Sequence, residues 1–402
     1  MRQKRIRFGA FIPPHTPPDE HPALAIEEDM DRVVLMEKLG YDEAWIGEHH
    51  SGGWEITASP EIFIAAVSQR TQRIRLGTGV SSLPYHNLFT LADRIRQLEY
   101  HTKGRVMFGV GPGSLPSDSY MMNLDTSKAR DQMDEAIDPL VRLLRGEKVT
   151  AKSDWFDLQD AQLQFVPYSE EGVEIAVASQ VSPAGAVAAG KHGISMLSIG
   201  ATSTGGFNAL GSNWGIAERT AAEYGNTMDR SGWRLVGPVH VAETREKARE
   251  NVKFGLERWI DYMTQVAALP LGTPPGTDPV DYMVSTGFAV IGTPDDFVQQ
   301  MERLWEQSGG FGCFLILDTH WADWAATHRS YELIARHAIP KINQLNRTRI
   351  ESETWLRDNN AQFKGELTAA VRAKMAEHAQ KEGGKAQLSP DLVSHFEVET
   401  DT

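Results

Sequence analysis

The run Tyr41-Asp42-Glu43-Ala44-Trp45-Ile46-Gly47-Glu48-His49-His50 decides how the rest of the chain is read. A short segment of buried-strand character passes directly into a carboxylate and two imidazoles. Chemistry in α/β barrels and open α/β sheets gathers where an apolar strand ends and polar groups begin. The flanking sequence repeats this strand-then-loop pattern in both directions.

Upstream, residues 6–12 form an apolar strand that stops at Pro13-Pro14-His15-Thr16-Pro17-Pro18, and residues 25–39 carry helical periodicity up to Gly40. Downstream, a helix is expected over 60–69, opened by Pro60, then a strand over 73–80, a helix over 88–100 and a strand over 106–110. The second half continues with helix 128–144, strand 173–178, helix 184–191, strand 194–199, helix 214–224, strand 234–241 and a long helix 244–263. Helix 295–307, strand 311–317 and helix 323–337 complete the series. Eight strands with intervening helices fit a (β/α)8 TIM barrel of the α/β class, with insertions. A doubly wound open sheet would usually stop at five or six strands. The barrel is assigned to residues 1–345. Residues 346–402 are assigned to a helical C-terminal extension with an apolar stripe at Leu367, Val371 and Met375, and its last dozen residues are expected to be flexible. Residues 265–290, rich in Pro and Gly, read equally as a lid and as a surface insertion.

Composition narrows the functional classes. With 40 basic and 54 acidic residues the formal charge is −14, which argues against nucleic acid and anionic membranes as partners. A lone cysteine, Cys313, allows no internal disulfide, and no stretch has signal-peptide or membrane-spanning length. A soluble cytoplasmic protein is the expectation.

The chemistry sits at successive strand ends. His49 and His50, adjacent in extended chain, must face opposite ways, and histidine exchanges protons near neutrality. Glu48 is placed to orient an imidazole. No spacing among His86, His101 and Glu55 assembles a metal site, so no metal is expected. Gly77 and Gly79, then Gly109, Gly111 and Gly113, would let backbone approach a flat ligand closely. Ala178-Ser179-Gln180-Val181-Ser182-Pro183 leads into a helix, where backbone N–H groups and serine hydroxyls favour a phosphate; Ser182 reads equally as a helix cap. Together these ends suit a broad ring with a phosphate tail, such as flavin mononucleotide.

Four segments then carry a specific resemblance: Trp45 to His50, Leu76 to His86, Lys103 to Gly111, and Ile291-Gly292-Thr293-Pro294-Asp295-Asp296. In this order they resemble the bacterial luciferase-like flavin-dependent monooxygenases. The run from Gly111 to Tyr120 is most similar to the limonene and diketocamphane monooxygenase branch. The resemblance implies a catalytic role for His49, a non-proline cis peptide at Gly79–Val80 under the flavin, and ring contacts at Gly79, Val80, Ser81 and Gly111. It also implies phosphate contacts at Ser179, Gln180, Val181 and Ser182. The family's cysteine and arginine beside the flavin correspond to Gly111 and Pro112, which leaves Arg130 as a candidate cation. The implied cofactor is FMN, arriving as FMNH2 from a separate reductase. The implied reaction inserts one atom of O2, through a C4a-peroxyflavin, into a small apolar terpene or cyclic ketone; Phe11, Trp54, Tyr85, Phe207 and Phe288 at the mouth read either as lining for that substrate or as plain core and rim. A homodimer is implied as well. An F420-dependent hydride-transferring oxidoreductase and a flavin-binding protein without turnover are the alternatives.

Overall fold

The computed structural model describes residues 5–267, 269 and 273–381. Eight parallel strands close into a barrel: β1 (Arg7–Ile12), β2 (Glu43–Ile46), β3 (Arg75–Thr78), β4 (Val106–Gly111), β5 (Glu174–Ser179), β6 (Ser195–Ser198), β7 (Arg234–Val241) and β8 (Cys313–Leu317). Each pairs with the next in chain order, and β8 returns to β1 with Arg7 opposite Cys313 and Phe11 opposite Leu317. The expected barrel and its eight strands are therefore present.

Two hydrophobic layers hold it. The larger lies between the outward faces of the strands and the surrounding helices, with Phe8, Ile46, Leu76 and Phe108 facing Val33, Ile64, Ile95 and Leu140. The smaller fills the barrel itself with Phe11, Trp45, Met107, Ala176, Leu197, Val236, Cys313 and Leu315. Trp45 dominates this interior. A Cβ at Gly77 would lie 2.5 Å from its ring and one at Gly109 3.0 Å from it, so these strand glycines admit an indole. They adjoin protein, not open space for a ligand.

Below Trp45 the amino-terminal end is plugged by charge. Arg234 of β7 makes two contacts to Glu43 of β2 (2.8 and 3.0 Å) and one to Glu174 of β5 (2.6 Å). Arg7 and Arg75 approach the same two carboxylates from β1 and β3. The chemistry is left to the opposite rim, at the carboxyl ends of the strands.

Several elements differ from expectation. The helix expected over 214–224 begins at Thr204, capped by the Ser203 hydroxyl; Gly205 and Gly206 in its first turn masked its start. The helix expected over 244–263 breaks into Arg245–Val252 and Leu256–Asp261, followed by a π-helical turn Tyr262–Val266. Its break is set by packing: Gly255 N–H bonds to Trp321 O at 3.0 Å, and a Cβ there would sit 2.1 Å from the His320 carbonyl. An antiparallel hairpin, Val149–Lys152 with Asp157–Ala161, was not anticipated because its strands are short and largely polar. Part of segment 265–290 forms the helix Pro279–Ser285, while residues 268 and 270–272 lie outside the described ones.

The chain divides after Asn343. The second unit contains helices Arg347–Asp358 and Asn360–Lys381, with Trp355 packed against Phe363 at 5.1 Å. The chain end expected to be flexible lies outside the described residues. No described helix is long and apolar enough to cross a membrane.

Candidate active site

The His49–His50 pair follows the end of β2, and its two rings take different partners. His49 Nε2 lies 2.8 Å from Glu55 Oε2, and its Nδ1 lies 3.4 Å from Asp118 Oδ2. His50 turns to Glu48 at 3.3 Å. Glu48 was expected to orient an imidazole, and it serves His50 and His86 (2.7 Å), not His49. It also accepts the Ser82 N–H at 2.6 Å, which ties the end of β2 to the loop after β3. Burial opposes its charge, but the hydrogen bonds from His50, His86 and Ser82 prevail, and its carboxyl is pulled down to about 2.

The two carboxylates on His49 come from separate loops. Glu55 follows β2, and its residue pairs with His15 after β1 in an antiparallel bridge. Asp118 lies on the short helix Pro116–Met121 after β4; its Oδ1 accepts from the Ser51 hydroxyl and from His50 N–H. Burial works against a charged imidazole, but Glu55 and Asp118 outweigh it and push His49 up to about 10. No local pattern in the sequence marks either partner for this role. Only their placement beside one ring marks them, and that depends on three loops meeting.

The peptide Gly79–Val80 is cis, as the resemblance implied. A Cβ at Gly79 would lie 2.9 Å from the Phe11 ring, and one at Gly111 2.5 Å from Val80 Cγ2. Phe11, Val80 and Gly111 thus close on one another at the rim of β1, β3 and β4. Val80, Ile199 and Leu317, each partly buried, rest on the interior cluster and complete an apolar floor. Ile199 and Leu317 belong to it although the sequence reading had not singled them out.

Around this floor stand hydroxyls without partners. Ser81 Oγ, Ser179 Oγ and Thr202 Oγ1 are all buried and make no hydrogen bond among the described residues. An unsatisfied buried hydroxyl costs about 1–3 kcal/mol, so three along the rims of β3, β5 and β6 point to a polar ligand that completes them. Gln180, Val181 and Ser182 are exposed next to Ser179, and no side chain caps the following helix Ala184–His192, so Ser182 is not a cap. The residues present therefore fit a flavin with a phosphate tail. Arg130 is exposed on helix Ala129–Leu144 and has no ion-pair partner among the described residues. No group of three or more His, Cys, Asp or Glu side chains among those residues could hold a metal ion.

The aromatic candidates divide. Trp54 stacks on Tyr262 at 5.0 Å within a second apolar cluster that joins Leu115, Met263, Met283, Ile291 and Trp321, with Phe288 packed against it. That cluster gathers residues that follow the carboxyl ends of β2, β4, β7 and β8. Tyr85 meets the His50 ring edge-on at 5.9 Å, and its hydroxyl approaches Ser119 at 3.4 Å. Phe207 instead lies on the outer helix Thr204–Glu223 beneath the Arg303 guanidinium, 3.9 Å from its centroid, and packs toward the helix layer.

A closed barrel with its polar groups gathered at the carboxyl rim is the architecture of an α/β-barrel enzyme, and comparison with known proteins specifies the family. Residues 6–311 match the model of the luciferase-like monooxygenases, and the chain belongs to that family. It is 47% identical to limonene 1,2-monooxygenase of Rhodococcus erythropolis, over 84% of this chain and 87% of that protein. It is 41% identical to 4-hydroxyprotoasukamycin monooxygenase of Streptomyces nodosus subsp. asukaensis, over 85% and 93%. Among solved structures it resembles the oxygenating constituent of 3,6-diketocamphane monooxygenase of Pseudomonas putida, in complex with FMN. The TM-score there is 0.70 at 25% identity, covering 84% of this chain and 99% of that one.

Proposed function

We propose that this chain is the oxygenating component of a two-component, FMN-dependent monooxygenase acting on a small apolar terpene or cyclic ketone. The observation that carries the reading is His49, held between two buried carboxylates at the edge of an apolar floor ringed by unpartnered hydroxyls. The FMN-bound relative and the limonene monooxygenase support the cofactor and the substrate class.

Ser179 and the amides of Gln180, Val181 and Ser182 would hold the phosphate, and Gly79, Val80, Ser81 and Gly111 would border the ring. Reduced FMN, delivered by a separate reductase, would supply the electrons that activate O2. The protein's own work is to exclude water and to manage one proton. Phe11, Val80, Ile199 and Leu317 give an apolar floor, and the cluster around Trp54, Tyr262 and Phe288 adds apolar surface from the loops after the strands, both of which favour water exclusion. Tyr85 and Trp54 would border the substrate space, whereas Phe207, expected there from the sequence, is turned to the outer helix layer beneath Arg303 and does not. His49 holds a proton beside the reacting centre and can donate it. A homodimer in the cytoplasm, where a reductase can meet it, completes the proposal.

The test uses purified protein, chemically reduced FMN and air. Limonene-type or cyclic-ketone substrates should gain an oxygen atom that originates in labelled O2. His49→Ala should lower product relative to released peroxide by about a hundredfold while FMN affinity changes by no more than about twofold. Hydride exchange with F420 and no oxygenated product would replace this reading with that of a deazaflavin enzyme.

A further inference from the structure

The two nitrogens of His49 are not held alike. Nε2 meets Glu55 at 2.8 Å, within ordinary hydrogen-bond range, whereas Nδ1 lies 3.4 Å from Asp118, beyond it. Glu55 is also the better anchored of the two carboxylates. Its residue is bridged to His15, the neighbouring Trp54 carbonyl accepts Thr16 N–H at 2.9 Å, and the Tyr262 hydroxyl donates to Oε1 at 2.9 Å. Tyr262 comes from the π-helical turn, a deviation that recurs at functional sites, and it is stacked on Trp54. Asp118 rides on a six-residue helix and divides its oxygens among Ser51, the His50 amide and His49.

We propose that Glu55 is a positioning residue for His49: it fixes the ring and commits the Nε2 proton, leaving the Nδ1 proton as the one passed to a bound ligand. The inference rests on the reading of His49 as the catalytic imidazole and adds which proton moves and what holds the ring. Every titratable group around the pair is consistent with it. His15 Nε2 lies 3.7 Å from Glu55 Oε1, too far to bond, and its Nδ1 is engaged with the Asp318 carbonyl at 2.9 Å. Burial lowers the proton affinity of His15, so it stays neutral and does not compete for Glu55. Burial and the Glu55 charge together keep the Tyr262 proton on its oxygen. His50, on the neighbouring residue, is committed to Glu48. Asp118 is the remaining charge, and its longer contact is the one a ligand can replace. Held in this way, His49 acts as a proton donor or fixed cation across the neutral range and not as a base.

Nuclear magnetic resonance of isotope-labelled histidine, in protein without flavin, tests this directly. In the unmodified chain the Nε2 proton of His49 should exchange slowly with solvent and the Nδ1 proton rapidly. Glu55→Gln should lower the His49 titration midpoint by about two pH units, and Glu55→Asp should recover about half of that shift. With reduced FMN, Glu55→Gln should move the alkaline limb of the product-to-peroxide ratio by the same amount and leave FMN affinity within about twofold. A midpoint in Glu55→Gln within about half a unit of the unmodified protein overturns the proposal. So does a protected Nδ1 proton, a result that needs no variant and decides the matter if Glu55→Gln fails to fold. An unchanged product ratio in His49→Ala, together with a shifted midpoint in Glu55→Gln, removes the catalytic reading and leaves the positioning intact.

Discussion

Ser179 illustrates how much a single side chain reveals once its surroundings are known. In the sequence it is one serine ahead of a helix, read as a hydroxyl donor to a phosphate, with the capping alternative resting on Ser182. In the fold its hydroxyl is buried and unpaired, and the helix beyond takes no side-chain cap. A hydroxyl with no partner adds nothing to the ligand-free protein. Ser179→Ala should therefore leave thermal stability unchanged or slightly higher, while FMN binds about ten- to a hundredfold more weakly, since hydrogen bonds to charged groups contribute about 1.5–3 kcal/mol. Parallel measurements of the unfolding midpoint and of FMN affinity check both halves. Loss of stability with normal affinity would show that Ser179 supports the fold. The same scale shows where sequence reasoning falls short. His49 was legible from its place after an apolar strand, but Glu55 and Asp118 were not. They lie six and sixty-nine residues away, in loops whose approach no local pattern encodes.

Elements tell a similar story about the glycines. Their recurrence at the ends of β3 and β4 was visible and was read as room for a flat ligand, whereas the group that approaches them is largely protein. Trp45 lies against Gly77 and Gly109, Phe11 against Gly79, and Val80 against Gly111. At Gly109 an added Cβ would also stand 2.0 Å from the Thr78 carbonyl, a backbone atom that cannot swing aside. Gly109→Ala should cost about 3 kcal/mol or more, read as a lower denaturant midpoint with an unchanged slope. At Gly111 the obstacle is the tip of a side chain, so Gly111→Ala should be milder. Equal losses at the two positions would show that β4 shifts as a unit to admit either methyl. Strand order and most helix positions were readable because apolar periodicity survives in the sequence. The break at Gly255 was not, since a contact with the chain after β8 sets it, and the early start at Thr204 was hidden by the two glycines of its first turn.

The molecule as a whole separates stability from chemistry along the barrel axis. Arg7, Glu43, Arg75, Glu174 and Arg234 draw five strands together at the amino-terminal end, far from the rim that carries His49. Burial opposes the charge on Glu174, but Arg234 and Arg75 outweigh it and hold the carboxyl down at about 2, from an ordinary 4.5. A carboxyl depressed in the folded state contributes stability that is complete above about pH 4.5 and is lost as pH falls toward 2. The difference in unfolding free energy between the wild-type chain and Glu174→Gln should therefore be constant above that point and shrink below it. The two arginines left behind do not titrate in this range, and Glu43, which shares Arg234, remains in both proteins. A difference that grows on acidification would contradict the assignment.

By itself the sequence determined the alternation that makes a barrel, because strand and helix periods are local and repeat along the chain. It also determined which strand end carries the imidazole and which carries the hydroxyls, because both lie within a few residues of an apolar run. Only the tertiary structure decided that His49 is charged, that Glu48 serves its neighbours, and that the rim glycines face an indole, a phenyl ring and a valine. Those properties arise from groups distant in sequence meeting where water is excluded, and there burial and pairing, not residue type, set protonation and contact.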